Sequence, residues 1–273
     1  MLSSVRITLR KIACLSGLLL FCGLLLQGQD FSNKGKEFWL GYGNHQEMYN
    51  TNRQGMTVYI TSDVNTSATV SIAGINFNST VQVTAFQITA VDIPNSAILN
   101  SEGKSNLGIH VTAEKPVVVY AHIFYASVSG ATLCLPVATL GREYYSVNFT
   151  QLAQPGVSAT SYSYFFVTAT EDNTSVEITP AASTQMGRPA GVPFTTVLNK
   201  GEVYQVLAAT DLTGSVIKSV NTGAGCKRIA VFCGSGRLGI GCGNSNAAVT
   251  SSDNLFQQMY PLSTWGRKYI TTP

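Results

Sequence analysis

The chain has 273 residues, 45% hydrophobic and only 11% charged, which is length and apolar content for one large or two ordinary domains and excludes disorder as the main state. Soluble domains carry about a quarter charged residues, so a chain this poor in charge reads as an exported β-protein and not as a helix-rich bundle. The formal charge of +3 comes from Arg6, Arg10 and Lys11; without residues 1–28 the balance is 14 basic against 14 acidic, which removes the footing for nucleic-acid binding.

The first element is a targeting segment. MLSSVRITLRK is a basic start, IACLSGLLLFCGLLL is an apolar stretch too short to span with ordinary flanks, and Gly28 offers a small residue at a cleavage point. We expect a signal peptide over 1–28 and a mature chain starting near Gln29. An uncleaved anchor and a lipid-modified Cys22 are the rival readings. No later stretch is apolar enough for a transmembrane helix, so the mature chain is expected to be secreted or displayed at the cell surface.

After the leader come short β-branched or aromatic runs. Residues 57–61, 68–72, 81–84, 117–120, 164–168, 176–178 and 229–232 are read as strands. Asp63-Val64-Asn65-Thr66, Glu171-Asp172-Asn173-Thr174 and Asn199-Lys200-Gly201 between them are turn-forming. No window keeps a helical period. The class is all-β.

Self-similarity sets the expected architecture. Gly35-Lys36-Glu37-Phe38-Trp39 returns as Gly141-Arg142-Glu143-Tyr144-Tyr145 and again as Gly266-Arg267-Lys268-Tyr269-Ile270. Residues 61–70 match 169–178, 115–120 match 227–232, and 136–142 match 261–267. The Gly-basic starts lie 106 and 125 residues apart, the size of a β-sandwich module and too long for a solenoid turn. This predicts two tandem β-sandwich-like modules forming an internal repeat, over 29–140 and 141–265. Residues 266–273 are then the start of a third repeat or a closing strand, and the chain reads as a fragment or a shortened gene product.

Gly35-Lys36-Glu37-Phe38-Trp39-Leu40, Lys115-Pro116-Val117-Val118-Val119-Tyr120-Ala121, Leu135-Pro136 with Leu140-Gly141-Arg142-Glu143-Tyr144, and 253–261 with Trp265-Gly266-Arg267-Lys268-Tyr269 together resemble the IgGFc-binding protein N-terminal domain family. The resemblance covers nearly all of the expected mature chain. It implies a secreted or surface protein, often the front of a longer chain with sorting or adhesion modules behind, and brings no established catalytic residues. Members commonly carry a Cys-Asp-His-like start where this chain has Ser252-Asp253-Asn254, so a role for that Cys or His does not carry over. The family name does not by itself assign an antibody as ligand.

Four cysteines follow the leader. Cys134 and Cys233 align with apolar core slots and read as buried thiols. Cys226 and Cys242 flank the segment around Phe232 to Ile240, and a disulfide between them would close a sixteen-residue step worth roughly 3 kcal/mol. Gly234-Ser235-Gly236-Arg237-Leu238-Gly239 is a literal G-x-G-x-x-G after a strand, but Ile240 to Asn246 cannot start the helix that a dinucleotide site needs. It reads as a Gly-rich hairpin turn, and no cofactor is expected. His45, His110 and His122 are scattered and read as structural, without metal spacing. No Gly-x-Ser-x-Gly elbow or hydrolytic cluster is present, and Glu171-Asp172 reads as a turn cap. Loop aromatics Tyr42, Tyr49, Tyr125 and Tyr162 are the expected binding surface, because Tyr buries much area while keeping a polar tip.

The sequence therefore points to a non-catalytic binding or adhesion module with an extracellular protein or glycan as partner. A structural spacer at the front of a longer surface protein is the alternative, and an extracellular enzyme the third reading.

Overall fold

In a computed structural model of the chain, residues 32–49, 51–126, 128–151, 161–221, 223, 225–239, 252–266, 268 and 270 are described. The expected signal peptide and Cys242 lie outside them. No helix among these residues is long and apolar enough to cross a membrane.

The described residues form an all-β fold. Its strands are β1 (Gly35–Leu40), β2 (Gly55–Thr61), β3 (Thr66–Ile72), β4 (Phe77–Val83), β5 (Ile88–Asp92), β6 (Gly103–Ser105), β7 (Ile109–Tyr125) and β8 (Val128–Cys134), then β9 (Glu143–Tyr145), β10 (Ser163–Ala169), β11 (Thr174–Thr179), β12 (Phe194–Leu198), β13 (Val203–Ala208), β14 (Val216–Ser219), β15 (Ile229–Leu238) and β16 (Asp253–Gln258). Six of the seven expected runs fall within strands, and the run 81–84 overshoots the end of β4 by one residue, Thr84. Short or less regular strands such as β1, β6 and β9 escaped the reading because alternation over three to six residues is a weak signal.

β7 organises the first stretch. Its start, with Val117, pairs with β1 and β3, and its later part, Val118–Tyr125, pairs with β2 and β8. Glu114, Lys115 and Pro116, all exposed, lie where it passes from one sheet to the other. Pro116 has no N–H for a ladder, so it suits that crossing, and its carbonyl accepts the Ser62 hydroxyl at 3.0 Å. The first stretch thus pairs β4-β3-β7-β1 and β5-β2-β7-β8. The second pairs β12-β11-β14-β9 and β13-β10-β15-β16, with β6 added beside β13. Every ladder between these strands is antiparallel.

Local geometry also recurs. Pro136 and Pro261 each precede a 3₁₀ turn, Val137–Thr139 and Leu262–Thr264, and accept the hydroxyls of Thr139 at 2.9 Å and Thr264 at 2.8 Å. Gly35 and Gly141 lie against these prolines so closely that a Cβ would come within 2.2 and 2.3 Å of the ring carbons.

The boundary expected between 140 and 141 falls between the first of these turns and β9. Asn33 onward nevertheless forms one compact unit, and the two stretches share a core. β10 is buried at all seven positions. Tyr164 and Phe166 join the core of the first stretch, whereas Phe165, Val167 and Ala169 join the second core with Val176, Ile178, Ile217 and Val231.

The Gly-rich motif corrects the hairpin reading. Gly234 to Leu238 continue β15 without a turn. A Cβ on Gly234 would lie 1.9 Å from the Leu255 carbonyl oxygen, and one on Gly236 would lie 2.1 Å from Asn44 Oδ1. These glycines admit neighbouring groups of the chain itself, the Leu255 carbonyl and the Asn44 side chain.

Candidate functional site

The four expected surface tyrosines separate. Tyr42 is fully buried, its hydroxyl donating to the Thr57 carbonyl at 2.8 Å, and burial raises its pKa well above the ordinary value. It ties the segment after β1 to β2 and cannot form a contact surface. A tyrosine between two glycines has the same local sequence in a loop and in a core, which is why the sequence alone does not separate the two.

The other three gather around residues 44–54. Tyr49 packs edge-on against Tyr162 with ring centroids 6.0 Å apart, and burial raises its pKa to about 12. Its hydroxyl accepts from Asn44 Nδ2 at 2.8 Å, and that of Tyr162 accepts from Gln185 Nε2 at 3.0 Å. Tyr125 lies under the Arg53 guanidinium at 4.4 Å, and Arg53 pairs with Glu47 at 2.7 Å. His45, fully buried, fixes this loop. The Glu47 N–H donates to its Nδ1 at 3.2 Å, so the proton sits on Nε2, 3.3 Å from the Val128 carbonyl.

A second group was not singled out in the sequence. Along β7, Val117, Val119, Ala121 and Ile123 point into the core, so Val118, Tyr120, His122 and Phe124 stand on the opposite face. Tyr59 of β2 is directly opposite Tyr120, and Thr57 is opposite His122. The His122 ring stacks with Phe124 at 4.7 Å and lies 6.1 Å from Tyr59. Gly55 faces Phe124, and a Cβ there would come 2.6 Å from the ring, so the ring lies over bare backbone.

This face is open to solvent: Ile88 is 74%, Tyr120 42% and Phe124 37% exposed. Partial burial lowers the His122 pKa, so the ring is neutral at pH 7. Asp92, beside Thr57 and accepting its hydroxyl at 2.9 Å, brings one carboxylate to the edge. Rings fixed on a sheet lose little conformational freedom on contact. The available signal was that both phases of the β7 alternation are apolar or aromatic, which one buried face does not require.

The remaining candidates are structural. Cys134 and Cys233 are buried thiols; burial pushes the first far up and the second to about 12, so neither is a reactive thiolate. Cys226 is half-buried and makes no disulfide with another described residue. Asn254, at the family's His position, is buried, its amide donating to the carbonyls of Asn44, Ser235 and Gly236 at 3.0–3.2 Å. His110 stacks on Trp39 at 4.0 Å and meets Glu37 at 2.9 Å. Glu102 accepts from the Thr184 hydroxyl at 2.6 Å, joining two loops. Among the described residues, no group of three or more His, Cys, Asp or Glu side chains could hold a metal ion.

The family model for IgGFc binding protein matches residues 130–273, just over half of the chain. No curated protein and no solved structure matches it. The match begins within β8 and takes in the whole of the second stretch of strands, including the Gly141 and Gly266 blocks. On that match, the chain belongs to the IgGFc binding protein family.

Proposed function

We propose that this chain is a non-catalytic, extracellular binding module that acts in adhesion, holding a protein or glycan partner on the aromatic face of β2 and β7. The observation that carries this reading is the row of Tyr59, Tyr120, His122 and Phe124, with Tyr120 and Phe124 exposed and Tyr59 and His122 half-buried, on a sheet whose other side is core. Exposed apolar patches on rigid scaffolds mark interaction sites. Family membership supports a binding role, and the leader-like residues 1–28 support export. Two sandwich-like modules would present such a face at a fixed orientation, and copies on one surface would gain by multivalency.

The test compares wild type with Tyr120→Ala/Phe124→Ala on glycan arrays, on immobilised mucin and matrix proteins, and on immobilised wild-type chain. Loss of at least about tenfold in affinity is expected, with the melting temperature nearly unchanged because both side chains are exposed. Equal binding by the variant, or no binding by either protein, would overturn the proposal. The latter result would favour the spacer.

A further inference from the structure

The aromatic face of the first stretch has a counterpart in the second. Val58, Tyr59 and Ile60 of β2 stand opposite Ala121, Tyr120 and Val119 of β7. Phe165, Phe166 and Val167 of β10 stand opposite Cys233, Phe232 and Val231 of β15. Superposing the registers puts Tyr59 on Phe166, Tyr120 on Phe232 and Thr57 on Tyr164. The flanking strands agree, since Tyr120 pairs with Leu133 where Phe232 pairs with Gln258, and Tyr59 with Ala90 where Phe166 pairs with Gln205.

In the second stretch that face is covered. Tyr164, Phe166, Phe232 and Phe256 are at most 3% exposed and belong to the core of the first stretch. The segment after β1 is part of the cover. Gly41 approaches the Phe166 ring so that a Cβ would lie 3.1 Å away, and a Cβ on Gly43 would lie 2.1 Å from the Tyr164 ring. Tyr42 packs against Phe256 with centroids 5.8 Å apart.

The second stretch has the matching segment after β9. Aligning Gly35 to Trp39 with Gly141 to Tyr145 places Val147 and Phe149 at the positions of Gly41 and Gly43, and they are 49% and 40% exposed. Bulk is exchanged across the two faces. Inside the chain, large Tyr164 meets Gly43; on the open face the counterpart of Tyr164 is the smaller Thr57, itself only 4% exposed, and the exposed segment offers large Phe149. A swap that conserves volume is the kind of change packed interfaces tolerate.

The geometry points to a second copy of this chain as the occupant of the Tyr59–Tyr120 face, seated through its Val147–Phe149 segment and repeating between chains the contact that joins the two stretches within one. This rests on the reading of that face as an interaction surface and narrows its partner to a homotypic one. The two patches differ, so the contact is heterologous and generates head-to-tail rows or rings, not a two-fold dimer. Of the side chains named on the face, Asp92 alone is acidic and none is Lys or Arg, so the face carries no cluster of like charges to oppose the contact.

Sedimentation velocity of the mature chain between about 1 μM and about 1 mM should show mass rising with concentration. Tyr120→Glu and Phe149→Glu should each weaken self-association at least about tenfold. Mixing the two should restore a complex that stops at the dimer, since each variant keeps one intact patch. Circular dichroism and melting check folding, and Tyr120→Lys with Val147→Lys is a second pair should one variant misfold. A wild type that stays monomeric, variants that associate like wild type, or a mixture that does not pair would each overturn the inference. A monomeric wild type whose mucin or glycan binding is lost in Tyr120→Ala/Phe124→Ala would overturn this inference alone and leave the proposed function standing.

Discussion

Gly234 and His45 show how single residues hold neighbouring segments together. Adding a methyl group at Gly234 drives it to 1.9 Å from the Leu255 carbonyl oxygen and 2.7 Å from the Tyr164 hydroxyl, and backbone cannot yield as a flexible side chain can. Gly234→Ala is expected to destabilise by about 2–3 kcal/mol, read from urea unfolding; an unchanged midpoint would contradict the close packing. His45 is held neutral, chiefly by burial, against the opposing pull of the Val128 carbonyl, Glu47 and Asp253. Its folded pKa is depressed, so the unfolded chain takes up the proton first as pH falls. The stability it lends is full above the unfolded value of about 6.5 and is lost as pH drops from there through the folded value. The urea midpoint should fall from pH 7.5 to pH 5.5, and nuclear magnetic resonance should show the His45 ring titrating below the unfolded range. Neither residue's role was legible. The Gly-x-Gly spacing says only that backbone is bare, and what approaches it, Leu255 or Asn44, comes from distant sequence.

At the scale of elements, β10 is the clearest case of a strand whose existence was readable and whose place was not. Tyr164-Phe165-Phe166-Val167 is an uninterrupted apolar run, and such a run marks a strand covered on both faces. Its two partners could not be named from it. Phe165 faces one core and Phe166 the other, so Phe165→Ala and Phe166→Ala should each cost about 3–5 kcal/mol. Each variant should still unfold in one calorimetric transition; two transitions would mean that the cores are energetically separate. The Tyr59–Tyr120 face was hidden for the opposite reason. Sequence alternation identifies a core face when its other phase is polar, and here Tyr120, His122 and Phe124 make the other phase aromatic. Tyr49 and Tyr162 lie off the strands, in keeping with the turn-forming residues around them, whereas Tyr125, expected in a loop, is the last residue of β7 and pairs with Val128. Tyr42 was not distinguishable from them before the Thr57 carbonyl was seen to accept its hydroxyl.

For the whole molecule, the all-β class followed from low charge and short apolar runs, whereas the way in which the second stretch packs on the first did not. Interfaces between stretches of strands leave no periodic trace, since Phe166 and Phe232 look like any core aromatics. The same limit applied to function: the motifs gave family membership, and only the fold separated a covered aromatic face from an open one. The central claim is that the open face is where a partner is held. Amide hydrogen exchange of the mature chain, measured alone and with saturating immobilised-phase-selected mucin or glycan, tests it most directly. Added protection concentrated in β2, the later part of β7 and β8 is the result this account predicts. Protection confined to the Tyr49 and Tyr162 loops, or to the β12-β11-β14-β9 sheet, with β2 and β7 unchanged, would contradict it.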